Sequence, residues 1–105
     1  MFDFNIKRND LLPAIEATLK YVDGTAINLT GATVKFIFTK PDGTVINRSA
    51  TVVSAAAGTV KYEWQTGDTT IAGVMRAEWE ITFPGGKLTV PSQGHLSILV
   101  TEDLG

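Results

Sequence analysis

The sequence predicts an all-β domain, a two-sheet sandwich or a barrel, on three observations. Apolar and polar residues alternate with period two along most of the chain, as in strands with one buried face. Turn signals built on Gly, Pro, Asp and Asn separate the alternating runs at short intervals. No stretch carries convincing helical spacing, and the crossovers of a parallel sheet need helices.

The elements follow in order. Phe2, Phe4 and Ile6 alternate with Asp3, Asn5 and Lys7, which predicts a first strand. After Pro13, the residues Ile15, Ala17, Leu19 and Tyr21 alternate with Glu16, Thr18 and Lys20. Leu, Ala, Glu and Lys favour helices, but strict alternation and the Asp23-Gly24 turn that follows argue for a second strand. Val34, Phe36 and Phe38 share one face of a third. Pro41-Asp42-Gly43 then turns the chain, because Pro presets φ and Gly accepts the positive φ that closes the turn.

Thr44 to Val53 reads as strand with a bend or bulge expected at Asn47-Arg48-Ser49. Ala55-Ala56-Ala57-Gly58 is a turn. Val60, Tyr62 and Trp64 follow on one face, with Lys61 and Glu63 on the other, and the polar stretch from Thr66 to Thr70 is a loop. The clearest strand runs from Met75 to Phe83: Ala77, Trp79, Ile81 and Phe83 point one way, and Arg76, Glu78, Glu80 and Thr82 the other. Pro84-Gly85-Gly86 turns into Lys87 to Val90, Pro91 ends that strand, and His95 to Thr101 closes the set. The expected core is Phe36, Phe38, Tyr62, Trp64, Trp79, Ile81 and Phe83. Each large side chain contributes about 1.5–3 kcal/mol on burial.

The chain has 105 residues, enough for one compact domain with its own core and too short for two. Residues 1–101 form that domain and 102–105 a C-terminal tail. With 44% hydrophobic and 19% charged residues the composition is globular. The absence of cysteine removes disulfides, thiol catalysis and thiolate metal sites. The net charge is −2, and Lys7-Arg8 is the only adjacent basic pair, so no basic stripe marks a nucleic-acid surface. The N-terminus lacks the apolar run of a signal peptide, and no apolar stretch is long enough to span a membrane.

Candidate chemistry is thin. His95 is the only histidine, and one histidine supplies neither a zinc site nor a nucleophile's base with its orienting partner. Glu78 and Glu80 lie two residues apart on one strand face, about 6–7 Å from each other, a spacing that paired catalytic carboxylates use. Catalysis would need one of them buried with a raised pKa, whereas they occupy the polar face beside Arg76, where a solvated charge ladder is the better account. Asp23-Gly24, Asp42-Gly43 and Gly67-Asp68 each lack the several oxygen ligands of a calcium loop. No glycine-rich run opens a helix to hold a phosphate. The expectation is no catalytic residue, no cofactor and no metal. Trp64 and Trp79 could serve as a sugar-stacking platform, but both lie on apolar strand faces. Phe2 and Phe4, at a terminus, and Ile37, on the polar side of its strand, are the candidate interface residues.

The order of features resembles a known family. Ile6-Lys7-Arg8-Asn9-Asp10, Ala14-Ile15-Glu16-Ala17, Asp23-Gly24 and Leu29-Thr30-Gly31-Ala32-Thr33-Val34 come first. Ala50-Thr51-Val52-Val53, then Gly58-Thr59-Val60-Lys61-Tyr62-Glu63-Trp64, then Gly67-Asp68-Thr69 continue the series. Gly73, Ala77-Glu78-Trp79-Glu80-Ile81-Thr82-Phe83 and Pro91 complete it. This series, over roughly residues 4 to 100, resembles the N-terminal domain of phage baseplate upper proteins. The resemblance implies an immunoglobulin-like antiparallel β-sandwich, for which about seven to nine short strands are expected. It also implies a non-enzymatic virion structural protein, a tail or baseplate attachment module with no cofactor.

Its expected partners are other phage structural proteins, in multiple symmetric copies, with neither nucleic acid nor membrane insertion. The expected location is the virion, after synthesis in the host cytoplasm. Because the sequence ends a few residues after the domain, without a stalk, a separate small tail protein or a capsid decoration protein is an alternative. A carbohydrate- or receptor-binding module, with a glycan as partner, is another.

Overall fold

The computed structural model describes residues 2–91 and 94–102, and among them every regular element is a strand. Strand β1 (Phe4–Lys7) is followed by β2 (Ile15–Thr18), β3 (Thr33–Thr39), β4 (Val45–Ser49) and β5 (Thr51–Ser54). After these come β6 (Thr59–Tyr62), the long β7 (Gly73–Phe83), β8 (Gly86–Val90) and β9 (Leu96–Thr101). The larger sheet runs β1-β9-β7-β3-β4 with β8 also paired to β7, and the smaller runs β2-β6-β5. Every pairing is antiparallel except β1 with β9, which is parallel. The second, fifth and sixth strands face a sheet built on the third and seventh. That is the division of an immunoglobulin-like sandwich in which the first strand joins the larger sheet and β4 and β8 extend it.

Strand β7 organises the larger sheet. One edge pairs with β3 from Arg76 to Thr82. Its other edge is shared end to end: Gly73 to Ala77 pair with β9, and Trp79 to Phe83 pair with β8. Ala77, Trp79 and Ile81 are buried from this strand, against Val34, Phe36 and Phe38 from β3 and Val60 and Tyr62 from β6. Phe36 lies at the centre, its ring 4.5 Å from Trp79 and 5.0 Å from Tyr62, centre to centre. Trp64 stands edge-on to Tyr62 at 5.4 Å. Aromatic rings in these offset and edge-on poses add to the stabilisation that burial alone supplies.

Four expectations shift. Phe83 packs against the core but stays half-buried, because it is the last residue of β7 and the Pro84-Gly85 turn lies directly beyond it. Tyr21, expected to continue the second strand, lies beyond its end and is 48% exposed. Pairing of β2 with β6 ends at Thr18, and the Tyr21 N–H bonds the Thr25 carbonyl, which turns the chain out of the sheet. The first strand begins at Phe4, since at Asp3 the carboxylate itself accepts from the Ser97 N–H at 2.8 Å. The break expected at Asn47-Arg48-Ser49 falls at Ala50. Arg48 is held by partners beneath the sheet, so β4 runs straight through it, and the small Ala50 makes the crossing between sheets while its N–H bonds the Val34 carbonyl.

Candidate interaction surface

The most specific polar arrangement in the molecule is internal. Asp68 is 1% exposed, and its carboxylate accepts from the Tyr62 hydroxyl and, at 2.8 Å, from the Gln65 N–H. Arg48 from β4 donates to the other carboxylate oxygen at 3.0 Å and to the Gln65 side chain. A buried carboxylate needs this many partners to offset its lost hydration. Burial, then the Asp68 hydrogen bond and charge, push the Tyr62 hydroxyl far above the ordinary tyrosine range. Next to Asp68, the Thr69 hydroxyl bonds the Asp10 carbonyl at 2.9 Å and the Thr69 carbonyl accepts from the Asn9 N–H. Lys40 donates to the Gly67 carbonyl at 2.7 Å. The 65–70 loop is thereby fastened to four other parts of the chain, at Arg48, Tyr62, Asn9-Asp10 and Lys40. The Asp68 carboxylate is thus held by three donors of its own chain, the Tyr62 hydroxyl, the Gln65 N–H and Arg48, which makes the cluster a strut.

The carboxylates on the polar face of β7 have separate surroundings. Glu80 meets Lys87 of β8 at 3.6 Å and stands opposite Lys35 of β3 in register. Glu78 lines a groove of about 270 Å³ with Ile37, Thr39, Arg76, Ala77, Gly94 and His95. The groove is open and polar, and it crosses the outer face of the larger sheet. Ile37 is half-buried there, opposite Glu78 in register. Among the described residues no three histidine or acidic side chains gather as a metal would require, and no helix is long and apolar enough to cross a membrane.

Of the N-terminal candidates, Phe4 packs against the core with its ring 6.0 Å from Trp64, and Phe2 is 36% exposed. Trp64 and Trp79 are 4% and 1% exposed, so neither offers a ring to a sugar. The apolar side chains that do reach solvent include Leu12, Tyr21, Val22, Val45, Val53 and Val74. Tyr21 and Val22 matter most. With Lys20, Leu88, Thr89, Val90 and Pro91 they line a groove of about 240 Å³ between the end of the second strand's hairpin and β8. The alternation puts Tyr21 on one strand face with Ile15, Ala17 and Leu19 and so gives no sign of this groove.

A family model for the BppU N-terminal domain, the N-terminal domain of baseplate upper proteins, matches residues 5–101. No curated protein matches the chain.

Proposed function

This chain belongs to the BppU N-terminal domain family, and we propose that it is a structural attachment module of a phage tail or baseplate, acting through protein–protein contacts and without catalysis. The observation that carries the reading is the family match across nearly the whole domain. The geometry agrees with it. Buried polar chemistry is spent on fastening loops, through Asp68, Thr69 and Lys40, and of the half-buried glutamates of the sheet face Glu80 is paired with Lys87. What remains for work is a rigid body with sheet edges, an outer sheet face and exposed apolar residues, the features by which sandwiches bind their neighbours. Phe2, Phe4 and Ile37 are retained as interface candidates in this role. Phe4 would act through its packing on Trp64 and the other two through direct contact.

Partners are other structural proteins of the particle. Repetition of the module around a symmetric particle would make a modest interface effective by avidity. The particle is also its working location, reached after synthesis in the host cytoplasm.

The test is quantitative mass analysis of purified particles from the encoding phage or induced prophage. The chain should be present in a fixed ratio to the other tail proteins. Its absence from particles that contain all their other structural proteins would overturn the reading. A capsid decoration role would give a ratio that tracks the major head protein.

A further inference from the structure

On the reading that this is an attachment module, we propose that the open edge of β8 receives an extended segment of a neighbouring virion protein as an added strand. The larger sheet is finished unevenly along one side. Strand β9 is covered by β1, which pairs with it in parallel from Phe4 opposite Ile98 to Lys7 opposite Thr101. Strand β8, in line with β9 along the same edge of β7, pairs with β7 alone. Among the described residues no main-chain hydrogen bond reaches its far side. Half of that edge is therefore closed by a short parallel strand, and the half in line with it is vacant.

An unpaired edge invites another strand, and proteins ordinarily cover or blunt it. Here the vacant half carries an apolar groove instead. Leu88 and Val90 form one wall and Tyr21 and Val22 the other, with Val22 91% exposed. An exposed valine facing a groove beside an unpaired strand gains nothing within this chain. A groove beside β2 is lined by Glu16, Ala17, Thr18, Thr59 and Val60 and lacks large apolar residues beyond one valine, and a groove beside β1 sets Leu12 among Asn5, Lys7 and Asp10. The occupant's chemistry follows from the lining. Its backbone must be extended to satisfy the β8 main chain, and alternate side chains must be apolar to meet Val22, Leu88 and Val90. Lys20 is the one charged residue of the lining, and no described carboxylate lies within ion-pair distance of it. A carboxylate on the incoming strand would meet it. The β8 segment itself, Gly86 to Val90, carries no carboxylate to meet Lys20, so the edge of a second copy does not supply the match and the occupant is a different chain.

The experiment uses the full chain in assembled particles. A photo-reactive benzoylphenylalanine replaces Val22 in one variant and Thr89 in another, and cross-linked peptides are identified by mass analysis after irradiation. Both positions should cross-link to one short contiguous stretch of the same partner protein. Cross-links to a second copy of this chain, to non-contiguous stretches of a folded surface, or to nothing would overturn the proposal. Val22→Asp and Lys20→Glu change exposed residues, so the fold should hold. Each should lower incorporation into particles at least tenfold, whereas Val53→Asp on the smaller sheet leaves it unchanged. Unchanged incorporation of both groove variants would sink the edge proposal while leaving the attachment role standing. Absence of the unaltered chain from particles would instead sink the role itself.

Discussion

Among the glycines, Gly58 leaves the least room for a side chain. It has a φ of +73°, and a Cβ there would sit 2.7 Å from the Ile27 carbonyl oxygen and 2.9 Å from that of Leu19. The sequence marks it only as a turn glycine, since the two carbonyls, of Leu19 and Ile27, come from a hairpin about thirty to forty residues earlier. Gly58→Ala should cost about 2–3 kcal/mol by chemical denaturation, from strained backbone and collision together. Gly43→Ala, with φ +93° and open space around the added carbon, should cost only about 1–2 kcal/mol. The Asp68 cluster was equally invisible in the sequence. Gly67-Asp68 reads as turn chemistry, and nothing in period-two alternation announces that Arg48, twenty residues earlier, and Tyr62 converge on it. Asp68→Ala strands both partners and should destabilise by about 2–4 kcal/mol, less than a fully buried pair because Arg48 is about a third exposed. Tyr62→Phe, which removes one hydroxyl and leaves the packing, should cost about 1–2 kcal/mol.

At the scale of elements, strand identity was largely legible and strand ends were not. Alternation in β3 and β7 is long and clean, so their core faces were read correctly from Val34 to Phe38 and from Ala77 to Ile81. The ends depend on pairing partners, which alternation does not reveal. Tyr21 leaves the sheet because the second strand's partner has run out, and Ala50 crosses between sheets because Arg48 is held in place before it. Two turns carry a pH signature. The Asp23 carboxylate accepts from the Thr25 N–H and the Asp42 carboxylate from the Thr44 N–H, each at 2.9 Å, and these bonds hold both pKa values below the ordinary 3.8. A lowered carboxylate pKa means stability that is present above about pH 4 and lost as pH falls through the lowered value. Thermal melts of Asp23→Asn and Asp42→Asn should therefore show a smaller loss of Tm between pH 4 and pH 2 than the unaltered chain. Hydrogen exchange should find the amides of β7, paired on both edges, the slowest, and those of β1 and β8 faster.

For the whole molecule, the sandwich and its family were within reach of the sequence, because both rest on the order of strands and turns along the chain. The surface was not. Which apolar residues face out depends on where strands stop, so Ile37 was visible as an odd residue on a polar face while the Val22 groove came only with the fold. The internal fastening and the uneven sheet edge fit one purpose, a rigid body that lends part of its surface to a neighbour. That purpose makes position in the particle the decisive observable. The measurement is immunogold labelling of purified particles with antibody against this chain. Label concentrated at the tail tip is the predicted result. Label over the head, or none on particles complete in their other structural proteins, would contradict a tail attachment module.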